Sequence, residues 1–241
     1  METSPSFLLE RLVKPELRRF GDSQSPVVVI DDFSGGDCEA VARLADALAP
    51  FPQVSKHSYY PGVRRVISSA DQDADAYVER TCQDAAQFIA GAFEVEGFDL
   101  IEASFSIVSS NPTELQPAQR APHFDSTDQN YYALLHYLRV PERTGTAFYR
   151  QRATGIERVT DDNVDAFVAA ARTAAAISPG SAYIIESNDA YEQIGAIEAV
   201  PDRLLIYQGS LLHSGIIPEG MKFSTDPRQG RLTANLFVRG H

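Results

Sequence analysis

A chain of 241 residues, 44% hydrophobic and 22% charged, is long and apolar enough to bury most of its nonpolar surface, which excludes extensive disorder. Its net charge of -12 opposes binding to a polyanion, because neutralising phosphates takes clustered Lys and Arg that an acidic surface offsets, so nucleic acid is not an expected partner. The most apolar runs, SPVVVIDDF and AFVAAARTAAAI, are too short or too interrupted to span a bilayer, and no membrane partner is expected either.

The opening stretch METSPSFLLERLVKPELRRF lacks the basic start, continuous apolar core and small-residue cleavage site of an export signal, and is expected to join the folded part of a cytoplasmic protein. PVVVIDDF (26 to 33) predicts a short buried strand. It feeds GGDCEAVARLADALA, where Cys38, Val41, Leu44, Ala45 and Leu48 recur at helical spacing. YYPGVRR (59 to 65) predicts a turn with exposed cations, although Tyr60, Arg64 and Arg65 are also placed to line a substrate entrance. A second helix is predicted over 73 to 93, with Tyr77, Thr81, Ala85, Phe88 and Ile89 on one face and acidic residues in its first turn.

From about residue 99 the period changes. DLIEASFSIVSS, NYYALLHYLRV, GTAFYRQR, SAYIIES, DRLLIYQG, HSGIIP and RLTANLFVRG are short β-branched or aromatic runs between turn-forming residues, the pattern of a sandwich or barrel. One helix interrupts them at 160 to 176, expected to open on Thr160 as N-cap and to pack outside the barrel. No repeat or linker divides the chain, so the expectation is one α+β domain over 1 to 241. Residues 1 to 95 form a helix and strand support, and 96 to 241 form the β-rich core. Cys38 and Cys82, two and far apart, are expected to be reduced, buried thiols without a disulfide or metal role.

The chemistry-bearing residues fall in the β region. An oxygen-activating iron(II) site needs N and O ligands with positions left open, which two imidazoles and one carboxylate on one face supply. His123 and Asp125, at i and i+2 in PHFD, project to one side if the segment is extended. His213, near a strand end after DRLLIYQGSLL, is the best third ligand. Arg231, at the mouth of the last predicted strand, suits a carboxylate, and Thr233 points to the same side with a hydroxyl to add. Each residue also has an ordinary reading. Asp125 suits a cap on the STDQN turn, His213 a bond to a backbone carbonyl, and Arg231 a surface ion pair. His136 alternates with Tyr137 and is expected to be a satisfied core histidine, while Arg150 and Arg152 in FYRQR invite a weak guess at a carboxylate-bearing substrate.

Taken in order, PHFD, LLHYLR, GTAFYR with TGIE, DRLLIYQGSLLHSG and GRLTANLF resemble the Fe(II)/2-oxoglutarate-dependent oxygenases, near their prolyl-hydroxylase-like branch, over about residues 100 to 240. The resemblance implies a double-stranded β-helix (jelly-roll) core with flanking N-terminal helices and one inserted helix. It implies Fe(II), 2-oxoglutarate and O2, with His123, Asp125 and His213 as metal ligands and Arg231 with Thr233 on the distal carboxylate of 2-oxoglutarate. Tyr137 matches a position whose side chain often reaches the cosubstrate. Arg228 is the fallback for Arg231, because the stretch from His213 to Arg231 is longer than usual. The implied activity is hydroxylation of an amino acid, peptide or small metabolite, and Asp125 argues against the halogenating variants, which replace that carboxylate. A non-catalytic barrel-type binding module and a metal-dependent hydrolase using the same ligands are the alternatives. The expected partner is the small-molecule or peptide substrate, and a homodimer is left open.

Overall fold

The computed structural model describes residues 14–52, 60–177, 180 and 182–241. The expectations for the first 13 residues and for Tyr59 lie outside that range. Ten strands and three α-helices follow one another as β1 (Pro15–Phe20), β2 (Ser25–Ile30), α1 (Cys38–Ala47), β3 (Gly62–Val66), α2 (Gln72–Phe93), β4 (Phe98–Val108), β5 (Tyr131–Arg139), β6 (Gly145–Gln151), α3 (Val164–Ile177), β7 (Tyr191–Glu198), β8 (Leu204–Gln208), β9 (His213–Ile216) and β10 (Arg231–Gly240). A seven-stranded sheet runs β1-β2-β8-β5-β10-β4-β3 and a three-stranded sheet runs β7-β6-β9. Every pairing is antiparallel. This is the jelly-roll, α+β architecture that the sequence resemblance implies.

Alternation along the central strands decides what each face of the large sheet does. On β10, Leu232, Ala234, Leu236 and Val238 join Leu134 and Leu138 of β5 and Leu204 and Ile206 of β8 in the core beneath α1 and α2. Their neighbours Ala133, Leu135, Tyr137, Leu205 and Tyr207 turn the other way and pack on Phe148 and Ile197 of the small sheet. A period of two with both faces covered needs apolar residues at nearly every position, which is why LLIY and YALL look like uninterrupted apolar runs. The inserted helix α3 closes the outer side of the small sheet through Phe167, which meets Phe124 edge-on at 5.7 Å.

Several expectations are corrected. SAYIIES is not a strand: among its described residues Tyr183 and Ile184 are buried in irregular chain, and the strand here is YEQIGAIE, ten residues further on. The aromatic and β-branched density of the first segment reflects burial rather than pairing. β1 and β3 were not predicted. PELRRF is mostly exposed on a sheet edge and so carries no apolar alternation, and GVRRV pairs with β4 where a turn was expected. The inserted helix begins at Val164 rather than at Thr160, whose N–H donates to Asn163 Oδ1 at 2.9 Å in the turn before it. Cys38 and Cys82 are free, and burial pushes both thiols up to about 11, which leaves them weak nucleophiles. No helix among the described residues is long and apolar enough to cross a membrane.

His136 is the satisfied core histidine expected. Its Nε2 donates to Asp202 Oδ1 at 3.0 Å and its Nδ1 meets the Tyr77 hydroxyl at 2.9 Å. Asp202 also accepts the Ser34 N–H at 2.8 Å and the Gly36 N–H at 3.3 Å, so one carboxylate ties the β2–α1 loop to β5 and α2. Burial alone would raise the Asp202 pKa, but His136 and the Ser34 amide outweigh it and hold the carboxylate at about 2, below its ordinary 3.8. Its stabilisation is therefore present above 3.8 and lost as pH falls through about 2. Asp202→Asn is expected to cost about 2 kcal/mol at neutral pH and to flatten the acid limb of stability in that window, measured by urea unfolding at several pH values.

Candidate metal centre

Between the two sheets lies a cavity of about 380 Å³. Its floor is set by a backbone pair: the His123 N–H donates to the His213 carbonyl and the His213 N–H to the His123 carbonyl, both at 2.9 Å. Residues that exchange both bonds stand directly opposite each other with side chains on one face. The two imidazoles accordingly lie with centroids 4.3 Å apart. Asp125, two residues on, is held by its N–H on the Gly209 carbonyl at 2.7 Å, and it brings Oδ2 to 3.7 Å from His213 Nε2. One ligand atom from each of the three lies within 4.8 Å of the others.

The donor set fits a divalent metal ion. His213 Nδ1 donates to the Leu211 carbonyl at 2.8 Å, which leaves the Nε2 lone pair facing Asp125. Asp125 Oδ2 is buried without a hydrogen-bond partner. A bare nitrogen lone pair and a bare carboxylate oxygen turned toward one another repel unless a cation lies between them. Burial lowers His123 to about 4, helped by the neighbouring His213, and lowers His213 to about 4 against the pull of the Leu211 carbonyl. Burial pushes Asp125 up to about 6 against the attraction of His123 and Arg64. At neutral pH the three are two neutral imidazoles and a carboxylate, the protonation states that metal ligation needs.

The other expected residues divide. Arg231 is buried and lines the cavity, with Nη2 on the Gly145 carbonyl at 3.2 Å and Nε buried with no partner. Thr233, also buried, lines the same wall. Tyr137 does not line the cavity. It lies beneath Arg231, whose guanidinium sits 5.5 Å from its ring, and its hydroxyl bonds Thr146 Oγ1 at 2.7 Å. The fallback Arg228 is exposed and paired with Asp226 at 2.8 Å, away from the cavity. Arg150 is held by Glu157, Asp22 and Glu192, and Arg152 Nε donates to the Asn188 carbonyl, so both are structural and outside the cavity. His213 opens β9 instead of ending a strand.

Two contributors had no readable signal. Tyr207 meets His213 edge-on at 4.9 Å, yet in LLIYQ it looks like one more core aromatic. Gly209 does more than turn the chain: a Cβ there would stand 3.2 Å from Asp125 Cβ and 2.7 Å from Tyr131 Cδ1. Only a residue without a side chain lets the carbonyl at 209 hold Asp125 so closely.

A family model described as "Family of unknown function (DUF6445)" matches residues 12–238. The chain belongs to that family. Comparison with curated proteins gives no match. Among solved structures, the DUF6445 chain is similar to SnoN, titled a non-heme alpha ketoglutarate dependent epimerase from nogalamycin biosynthesis, at 12% identity and a TM-score of 0.52 over 90% of this chain and 79% of that one. It is also similar to HygX from Streptomyces hygroscopicus with iron bound, at 12% identity and a TM-score of 0.51 over 90% of this chain and 83% of that one. These likenesses show the jelly-roll fold that the sequence resemblance implied.

Gly209→Ala is expected to displace Asp125 and weaken divalent-metal binding about tenfold, read by titrating Mn(II) and following its free-ion spin resonance signal.

Proposed function

We propose that this chain is an Fe(II)/2-oxoglutarate-dependent dioxygenase in which His123, Asp125 and His213 hold the metal. One observation carries the reading: the unpartnered Oδ2 of Asp125 and the unpartnered Nε of Arg231 are buried in one cavity, beside two imidazoles whose rings are 4.3 Å apart. An acceptor without a cation and a cationic donor without an anion, walled in together, call for a metal ion and a carboxylate. SnoN and HygX, whose titles name alpha ketoglutarate dependence and bound iron, support the same pairing.

When bound, Fe(II) with 2-oxoglutarate and O2 supplies the oxidising power to break a substrate C–H bond while 2-oxoglutarate becomes succinate and carbon dioxide. The protein's own residues do the positioning. Arg231, whose Nε has no partner, would hold the distal carboxylate of 2-oxoglutarate, Thr233 would add its hydroxyl, and the Tyr137 ring supports the guanidinium. His213 is kept in one tautomer by the Leu211 carbonyl, so its Nε2 stays available. Phe124, Tyr207 and Ile217 line the cavity and keep water from the reacting centre. Hydroxylation is the reaction proposed. Because a chain of this fold is titled an epimerase, product analysis, and not succinate release alone, identifies the outcome.

Anaerobic addition of Fe(II) and 2-oxoglutarate is expected to produce a weak visible charge-transfer band that His213→Ala abolishes. A folded wild-type protein with no band would overturn the assignment. Arg231→Ala is expected to keep Fe(II) binding and to weaken 2-oxoglutarate about a hundredfold, measured by calorimetric titration of the metal-loaded protein. Unchanged affinity there would remove Arg231 from the cosubstrate site.

A further inference from the structure

Resting on the oxygenase reading, we infer that Arg64 is a substrate anchor and that the substrate carries a free carboxylate. The large sheet sets the position. Arg64 on β3 pairs with Ser106 on β4, and Ser106 pairs with Thr233 on β10, so Arg64 stands in the row of the proposed cosubstrate clamp, two strands nearer the sheet edge. It lines the same cavity as His123, Asp125 and His213.

The guanidinium is held without being used up. Its Cζ lies 5.9 Å from the Tyr60 ring and 5.8 Å from the Phe237 ring, so two aromatic faces fix its plane. Nη2 donates to Glu102 Oε1 at 2.6 Å and to Ser104 Oγ at 2.9 Å, which occupies both hydrogens on that nitrogen. Among the described residues Nη1 and Nε have no protein partner, and the side chain keeps 27% of its surface exposed. The contrast with Arg139 and Arg150 is sharp, since each of those spreads its donors over two or more carboxylates.

The size of the charge selects the ligand. One guanidinium whose charge is already balanced by Glu102 keeps unused N–H donors on Nη1 and Nε, enough to hydrogen-bond a carboxylate and with too little charge for a phosphoryl dianion. Arg231, the other arginine in this wall, is taken up by the cosubstrate in the proposed mechanism. A substrate acid on Arg64 would lie with its body toward Phe124 and Phe237, which face the same cavity. Arg64 is thus a specificity-determining residue, not one that touches the reacting bond.

The test uses the full chain loaded with Zn(II) and 2-oxoglutarate, which cannot turn over, and saturation-transfer NMR on a library of small carboxylic acids paired with their primary amides. The expected result is that binding is confined to acids and that Arg64→Gln weakens the acids that bind about tenfold or more, while Arg64→Lys, which keeps the charge, retains part of the affinity. Amides binding as well as acids, acids indifferent to Arg64→Gln, or no acid bound by the wild type would each overturn the inference. The signal of 2-oxoglutarate itself reports separately on the reading beneath. If acids bind through Arg64 while 2-oxoglutarate does not bind through Arg231, the anchor stands and the oxygenase assignment falls.

Discussion

The structure turns on a reciprocal pair of backbone hydrogen bonds. His123 and His213 come from segments far apart in the chain, and only because each donates its N–H to the other's carbonyl do their imidazoles face one another at 4.3 Å. The rest of the centre is referenced to that bridge. Asp125 follows His123 by two extended residues and is fastened to Gly209, which itself donates to the Tyr131 carbonyl, so the carboxylate is registered against the large sheet. A shift of one residue in this pairing would put the His123 and His213 imidazoles on opposite faces.

The register is held by a sheet buried on both faces and backed by helices. α1 and α2 cover the far face of the large sheet, burying Leu134, Leu204, Ile206 and Leu236, and they leave the near face to divide between the inter-sheet core and the cavity. The Asp202 network performs the corresponding registration at the back. It ties a loop, a strand and α2 to one carboxylate, so the helices cannot slide over the sheet without leaving buried donors unpaired. Two buried histidine environments result. His136 has a partner at both ring nitrogens, while His213 has one partner and an open lone pair. The difference between the two histidines is that second nitrogen, which His213 leaves free for a cation.

The cavity carries charge in a deliberate order for so acidic a chain. Arg231 is buried and Arg64 partly exposed, and both line the cavity with Tyr60, whose hydroxyl feels the charge of each. Most other arginines with resolved ion pairs lie outside the cavity, and Arg139, Arg150 and Arg203 brace loops and helices through carboxylates. In a protein with net charge -12, two guanidinium groups line one cavity, which makes that cavity locally basic.

How much of this was legible depended on whether the signal was local. The strands with both faces buried, such as LLIY and YALL, were legible because burial of successive residues forces apolar content, and α2 was legible because its apolar positions recur at helical spacing. The edge strands β1 and β3 were not, because a strand with an exposed face keeps no alternation to read, and SAYIIES misled because burial without pairing looks the same in composition. At the site, the amino-acid sequence by itself determined the residue types and their order, an imidazole and a carboxylate two apart, a later imidazole and an arginine at the start of the last strand. Only the tertiary structure decided that His123 and His213 pair, that Arg231 enters the cavity while Arg228 stays outside, and that Arg64 joins it from a segment that looked like a turn. The reason is physical: spacing along a strand is set by covalent geometry and can be read from the chain, whereas contacts across strands depend on register, which the whole core chooses at once.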